Sequence, residues 1–508
     1  MMTTRNENWI KHLQQWQLFL EEGLAQTDNI GDKIKLQRQR RIIEDVRFSA
    51  VLNPSLLVEF INPISLPDFD NNNLEYILEL NESQKRAVSM ALSNNVLSLI
   101  QGPPGTGKTQ VITEICLQLF RSNPDIRILV CSETHIAVNN LISRLSPHND
   151  ELRIVRIRDK EQDGTTDEFS PESIIRHYSN WLYDNIESRD LCDIITETLS
   201  DYEDVSLEKA LTLSANVTGM TCNRVGAYNY SSTSEMFDVV MIDEVCKATL
   251  PEILMPLSVA KKAVLVGDPK QLPPVFCSEE LEIIRSIENC NLQNYMYIDK
   301  LFETTKCVTQ LDTQYRMSKR IASLISSLFY NNTLNSGKDD TQEGLIEWLD
   351  YKPSKEWPLK AEEDKQRIFN TDECEIISNL LTDLDTDANN AMSIAIIAPY
   401  RQQVNALRQK VRELYLDYID VIVDTVDGFQ GKECDIVIFS LTRTHGSYRF
   451  LADKRRLNVA LSRAREQIYM IGSLKFAENN KLLSEIASRS EKKVVNVGGA
   501  ISEEIYNV

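Results

Sequence analysis

Eight consecutive residues, Gly102-Pro103-Pro104-Gly105-Thr106-Gly107-Lys108-Thr109, have the types and spacing to hold a triphosphate. Glycines let backbone N–H groups turn inward around phosphate oxygens, Lys108 reaches the β- and γ-phosphates, and Thr109 offers a hydroxyl to Mg²⁺. Hydrolysis also needs a metal-holding carboxylate and a group that polarises water. Met241-Ile242-Asp243-Glu244 supplies two adjacent carboxylates at the end of an apolar run. Asp243 suits the Mg²⁺ shell and Glu244 the attacking water. Gly267-Asp268-Pro269-Lys270-Gln271-Leu272-Pro273-Pro274 places Gln271 where it could bond a γ-phosphate oxygen or the water. Gln314-Tyr315-Arg316-Met317 and the run from Arg455 to Arg465 supply arginines, whose charge can neutralise what develops on a γ-phosphate during transfer.

These groups must be placed by rigid elements. Val96-Leu97-Ser98-Leu99-Ile100 reads as a buried strand feeding the loop, and a helix from about Thr109 to Phe120 would aim its positive end at the same anion. Similar apolar runs recur at 127–131, 237–242, 263–266, 393–397, 435–439 and 467–471. Near-continuous β-branched runs separated by helical stretches predict α/β architecture with parallel sheets covered on both faces. One group lies before about residue 300 and another after about 390, which predicts two α/β domains. The interval from about 145 to 212 is acidic and helical in pattern, an expected insertion in the first domain. Residues 1–79 are expected to form a small accessory segment, with an amphipathic stretch carrying Trp9, Leu13, Trp16 and Leu20 and a basic cluster at Arg38-Gln39-Arg40-Arg41. The expected division is 1–79, 80–305 and 306–508.

Composition sets limits. At 508 residues, 42% hydrophobic and 26% charged, the chain suits an ordinary globular protein of two or three domains. Its start lacks the apolar core of a secretory signal, no stretch approaches a membrane span, and the ten cysteines contain no C-x-x-C pair. These features predict reduced thiols, no zinc module and a cytoplasmic location. The 55 basic and 75 acidic residues leave a net charge of −20, so any nucleic-acid surface must be a local groove on an acidic body.

Taken in order, the motifs resemble those of superfamily 1 helicases of the up-frameshift and senataxin branch. Leu80-Asn81-Glu82-Ser83-Gln84 resembles its adenine-reading segment, and Ser132 to Asn139 its motif Ia. Asp243-Glu244, Gly267 to Pro274, Leu311 to Met317, Thr425 to Glu433 and Arg455 to Arg465 resemble motifs II to VI, over roughly residues 80–475. The resemblance implies two tandem RecA-like domains with ATP and Mg²⁺ in the cleft between them. It implies Gln84 and Tyr315 at the adenine and Glu433 at the ribose. Gly105 and Gly107 would line the phosphates, with Lys108, Gln271, Arg316 and Arg463 around the γ-phosphate, Thr109 and Asp243 on Mg²⁺, and Glu244 as base. Single-stranded DNA or RNA would touch Thr134, His135, Thr221-Cys222, Pro399, Tyr400, Thr425 and Val426, and movement would run 5′ to 3′.

The sequence also departs from that pattern. Lys247 stands where the acidic motif usually has Gln, Ser318 follows Met317 where His-Pro is common, and Asn139 stands where Asp is common. The branch's Cys/His-rich module and any nuclease motif are missing. Segments 1–79 and 145–212 are left free to hold protein partners. A second reading therefore stands beside the helicase: a nucleic-acid-gated ATPase switch or clamp, acting as a subunit of a larger assembly with little unwinding of its own.

Overall fold

The computed structural model describes residues 2–48, 50–51, 53–63, 74–93, 95–148, 152–158, 168–201, 204–227, 236–287, 292–305, 308–338, 343–363, 365–387, 391–429 and 431–497. Gln430 of the fifth motif lies outside them, as do parts of the segments 1–79 and 145–212. Two compact units divide the chain. The first comprises Met1–Gly102, Gly107–Pro269 and Pro273–Leu311; the second comprises Asp312–Val508 together with Pro103–Thr106 and Lys270–Leu272.

The first unit is built on β1 (Leu97–Gln101), β2 (Ile128–Ser132), β3 (Ile154–Arg156), β4 (Val217–Thr221), β5 (Phe237–Ile242), β6 (Ala260–Gly267) and β7 (Val308–Gln310). They form one parallel sheet in the order β3-β4-β2-β5-β6-β1-β7. The central strands feed two cores because successive side chains point to opposite faces. Leu97, Leu99, Leu129, Val240, Ile242 and Leu265 enter one core, while Ile100, Val130, Val239, Met241, Val264 and Val266 enter the other. That double burial is why these strands are near-continuous apolar runs rather than alternating ones.

Helices α1 (Met2–Gln26), α2 (Ile30–Arg47) and α3 (Pro54–Ile61) pack into the first of those cores. Asn29 caps α2 by accepting from the Asp32 N–H, and Pro54 opens α3 at a position whose N–H needs no helical partner. The amphipathic stripe of α1 turns fully inward: Leu13, Trp16 and Leu20 are buried. Trp16 meets Tyr295 edge to face at 4.7 Å, and the Tyr295 hydroxyl donates to the Gln15 carbonyl at 3.3 Å.

A polar hub fixes the register of α2. Glu252, buried in the helix Leu250–Ser258, accepts from Lys35 Nζ at 3.1 Å, Gln39 Nε2 at 3.3 Å and Asn223 Nδ2 at 2.8 Å. Its other oxygen takes the N–H and hydroxyl of Thr249, both at 2.8 Å. Burial alone would raise this carboxyl, yet Lys35 and the Thr249 donors hold it below the usual carboxylate range. Glu252→Ala should therefore cost about 2–3 kcal/mol in urea unfolding, less than a fully buried ion pair because Lys35 remains half-exposed. A loss under about 0.5 kcal/mol would mean that apolar contacts alone seat α2.

The interval 145–212 holds the helices Pro171–Asn185, Arg189–Asp201 and Asp204–Ser214. It is not helical throughout: β3 lies inside it and pairs with β4, which extends the sheet into the interval. Only three residues long, β3 carries too little apolar pattern to read as a strand.

The second unit contains a two-stranded ladder of β8 (Thr313–Gln314) and β9 (Asn335–Ser336) and a larger parallel sheet. The latter joins β10 (Leu345–Tyr351), β11 (Met392–Ala398), β12 (Ile419–Thr425), β13 (Cys434–Ser440), β14 (Ala464–Ile471) and β15 (Glu491–Val495) in the order β12-β11-β13-β14-β10-β15. Its strands also feed two cores, with Ile397, Val437 and Met470 on one face and Ile396, Ile438 and Ile471 on the other. Strands of this group were expected only after about 390; β10 begins earlier and sits between β14 and β15. Among the described residues no helix is long and apolar enough to cross a membrane.

Candidate functional site

Chemistry-bearing residues of the first unit gather where parallel strands end. In such sheets the carboxyl ends of the strands open a crevice for ligands. Lys108 and Thr109 follow β1 and its loop, and Asp243 and Glu244 follow β5; β5, β6 and β1 are consecutive neighbours.

The loop runs from β1 into α4's partner helix Lys108–Ser122, where α4 is Glu82–Leu92. Gly107 is the N-cap with φ 77°, and Gly105 has φ 73°. A Cβ at Gly107 would lie 2.6 Å from Gln84 Nε2, and one at Gly105 would lie 2.8 Å from Arg316 Cβ. Both glycines are thus demanded by backbone angle and by space. The Thr106 hydroxyl donates to the Pro103 carbonyl at 2.8 Å and closes the turn. Lys108 Nζ donates to the Gly102 carbonyl at 3.0 Å and lies 3.9 Å from Glu244 Oε1.

Asp243 is buried at 6% exposure, with Oδ1 accepting from the Glu244 N–H at 2.8 Å. Burial and the adjacent Glu244 push its carboxyl up to about 7, against the pull of Lys108. Glu244 is in the left-handed region at φ 53°, a backbone state that a non-glycine residue adopts at a cost. No group of three or more His, Cys, Asp or Glu able to hold a metal occurs among the described residues. The hydroxyl of Thr109 and the carboxylate of Asp243 are hard oxygen donors, and that sparse set fits Mg²⁺, which keeps waters and takes phosphate oxygens as ligands.

Gln271 and the arginines occur within the second unit. Gln271 is buried, and its Oε1 accepts from Arg463 Nη2 at 3.3 Å. Arg463 also donates to the Val459 carbonyl at 2.9 Å and the Lys432 carbonyl at 3.3 Å. Asn458, in the preceding helix Lys454–Leu461, donates to the Lys270 carbonyl and the Tyr330 hydroxyl, both at 2.8 Å. Arg316 pairs with Glu433 at 2.6 Å and donates to the Ser462 carbonyl at 3.2 Å. Glu433, expected at a ribose, is engaged by Arg465 as well as Arg316. Burial alone would raise its carboxyl, but the two guanidinium groups hold it below the usual range.

Tyr315 is 46% exposed, with its N–H on the Gly105 carbonyl at 2.9 Å. Its ring lies against Gly337, where a Cβ would fall 2.4 Å from Cε1. Gln84 is buried in a capping box with Asn81, so its Oε1 accepts a backbone N–H while Nε2 faces Gly107.

The residues expected at a nucleic-acid strand are largely committed to local structure. Thr134 caps the helix His135–Leu145 through the Ala137 N–H, and Thr221 caps Cys222–Val225 through the Arg224 N–H. Pro399 directly follows β11, and the Tyr400 hydroxyl accepts from Arg443 Nε at 2.8 Å. Thr425 Oγ1 accepts from the Gly428 N–H at 3.3 Å. Val426 is buried at 2% exposure, so its side chain cannot touch a strand and only its backbone is available. His135 Nδ1 lies 3.1 Å from Arg156 Nη2.

Arg156 was not anticipated. Fully buried at the end of β3, it also donates to Asn139 Oδ1 at 3.0 Å and the Gly219 carbonyl at 3.1 Å. Asn139, one departure from the motif pattern, thus serves as an acceptor for it. Lys247, another departure, donates its N–H to the Glu244 carbonyl at 2.9 Å. Burial and Glu252 raise the carboxyl of Glu133, which precedes Thr134, against the pull of Lys247 and Lys35.

A family model described as an AAA domain matches residues 79–189 and 183–279, and a second AAA domain model matches residues 295–475. The chain is 30% identical over 465 residues to DNA polymerase alpha-associated DNA helicase A of Saccharomyces cerevisiae, covering 80% of this chain and 66% of that protein. It is 28% identical over 506 residues to helicase sen1 of Schizosaccharomyces pombe, covering 80% of this chain and 30% of that one. It is 29% identical over 454 residues to DNA-binding protein SMUBP-2 of Mus musculus, covering 81% and 44%. The chain therefore spans between 30% and 66% of the length of these relatives.

Proposed function

We infer, because this chain belongs to the superfamily 1 helicases of the up-frameshift and senataxin branch, that it is an ATP-driven translocase on single-stranded DNA or RNA that separates duplex strands in the 5′ to 3′ direction. The observation that carries the reading is that Lys108 and the carboxylate pair Asp243-Glu244 meet at the ends of β1 and β5, strands separated only by β6, with Lys108 Nζ 3.9 Å from Glu244 Oε1. In this reading Lys108 takes the β- and γ-phosphates, and Thr109 and Asp243 hold Mg²⁺, which supplies charge neutralisation at the phosphates. Glu244 accepts the proton of the attacking water. Gln271 senses the γ-phosphate, and Arg316 and Arg463 offset its charge. Gln84 and Tyr315 meet the adenine and Glu433 the ribose.

Thr134, His135 and Thr221 would contact the strand at the ends of β2 and β4; Pro399, Tyr400, Thr425 and the Val426 backbone would do so at the ends of β11 and β12. Such contacts combine phosphate bonding with stacking and tolerate any sequence. Free cysteines among the described residues support a cytoplasmic home.

ATP turnover should be measured without polymer, with single-stranded DNA and with single-stranded RNA. A rise of about tenfold or more with at least one polymer is expected, falling steeply as salt increases. Equal rates in all three conditions would sink the reading. Lys247, standing where the acidic motif usually has Gln, favours a second possibility, a gated switch or clamp with little unwinding. ATP-dependent displacement on a 5′-tailed duplex, absent on a 3′-tailed one, excludes the switch. Stimulation without displacement on either duplex would establish it.

A further inference from the structure

Between β13 and the helix Lys454–Leu461 runs a loop that none of the motifs assigns. Both of its flanks are fixed. The Trp357 N–H donates to Thr444 Oγ1 at 2.8 Å, and the Thr444 N–H returns to the Trp357 carbonyl at 2.9 Å. Tyr448 stacks on Phe476 at 4.4 Å and donates its hydroxyl to the Phe476 carbonyl at 2.6 Å. Beyond these anchors Arg449 and Phe450 are exposed, Phe450 to 37%.

The Phe450 ring is nonetheless built into a group. Its centroid is 5.7 Å from that of Tyr400, tilted by 36°, and the Arg456 guanidinium carbon sits 4.1 Å over its face. Tyr400 is braced in turn by Arg443, whose Nε donates to the phenol and whose Nη1 pairs with Glu363 at 2.8 Å. An aromatic pair so braced is preorganised, and binding to it costs little side-chain entropy.

The same group contains polar atoms that lack a hydrogen-bond partner. Arg456 Nε stands 3.8 Å from Asp427 Oδ2, beyond hydrogen-bond range. Arg456 Nε and Asp427 Oδ1 are both shielded from water with no hydrogen bond. Buried polar atoms of this kind are rare in native structures and ask what else supplies the bond. Exposed Arg401 and Arg449 adjoin Tyr400 and Phe450 in sequence, and exposed Lys454 lies two residues before Arg456. Local positive charge of this kind on a chain of net charge −20 suits a polyanion.

Position completes the argument. Tyr400 follows β11, Asp427 follows β12, and the loop follows β13; these three strands are neighbours and end on the same rim as Thr425. We propose that Phe450, with Tyr400 and Arg456, forms a nucleotide subsite: the exposed part of the Phe450 ring packs against a base of the single strand, and Arg456 donates to the adjoining phosphate. The proposal rests on the strand-binding reading above. It makes Phe450 a sequence-tolerant contact, because every base presents a π face.

Full-length wild-type protein and the variants Phe450→Ala, Phe450→Leu and Phe450→Trp should be titrated into fluorescein-labelled oligo-dT and oligo-U while anisotropy is followed. Phe450→Ala should raise Kd about tenfold on both polymers with an unchanged slope of log Kd against log salt, since stacking rather than a phosphate contact is lost. Phe450→Leu should recover only part of the affinity, and the added indole of Phe450→Trp should lose emission as either polymer binds. Melting curves identify any variant that fails to fold; if Phe450→Ala is one, the Phe450→Trp emission decides. Wild-type affinity in Phe450→Ala, or an unchanged Phe450→Trp emission at saturating polymer, overturns the subsite alone. A wild-type protein that binds neither polymer overturns the strand-binding reading and the subsite with it.

Discussion

Arg463→Ala is expected to lower polymer-stimulated ATP turnover by about a thousandfold, within the range that a γ-phosphate arginine contributes to phosphoryl transfer. Arg463 is buried at 3% exposure, and its guanidinium is aimed by two carbonyls and by Gln271 Oε1. A side chain steered by that many acceptors has already lost its rotamer freedom, so its charge is delivered without a further ordering cost. Since the charge it offsets develops only as the terminal bond breaks, kcat should fall far more than the KM for ATP changes. Arg463→Lys should restore little, because a point charge on a flexible stem cannot reproduce three directed N–H groups. The check is steady-state turnover at saturating polymer. A drop of less than about tenfold would shift the main γ-phosphate role to Arg316.

Glu244→Gln should give a different signature: turnover reduced by about a hundred- to ten-thousandfold while nucleotide stays bound. The carboxylate lies 3.9 Å from Lys108 Nζ, directly after the buried Asp243, so it is held beside the groups that would grip the phosphates. Glutamine keeps the length and hydrogen-bonding ability of the side chain but cannot take a proton from water. It also carries the same backbone preference at φ 53°, which keeps the turn after β5 comparable. Binding of a fluorescent ATP analogue should therefore remain within a few-fold of wild type while phosphate release nearly stops. Substantial residual turnover would assign proton removal to another group or to solvent.

The candidate phosphate-site residues were legible because the chemistry proposed for them restricts both residue type and spacing. Gly105 and Gly107 need positive φ, Lys108 needs a long amine at the start of a helix, and Asp243 with Glu244 needs the end of a buried strand. The central strands were legible for a related reason: burial on both faces writes them as β-branched runs. What sequence could not supply falls into two physical classes. Edge and short strands such as β3, β12 and β15 mix charged residues into their pattern because one side of them meets solvent or sheet ends. Buried polar partners such as Arg156 and Glu252 look like any surface charge until the fold brings Asn139, His135, Lys35 and Asn223 around them. Val426 shows the converse, a motif residue whose side chain serves the core.

The three amino-terminal helices have a consequence for how this protein can be altered. Trp16, Ile43 and Phe60 share a single apolar interior with Leu99 and Leu265, the strand residues that carry the phosphate loop and its neighbour. They are built into the same interior as the sheet. A factor that gripped or loosened them would reach the chemistry through the rigidity of the sheet itself, without approaching the nucleotide.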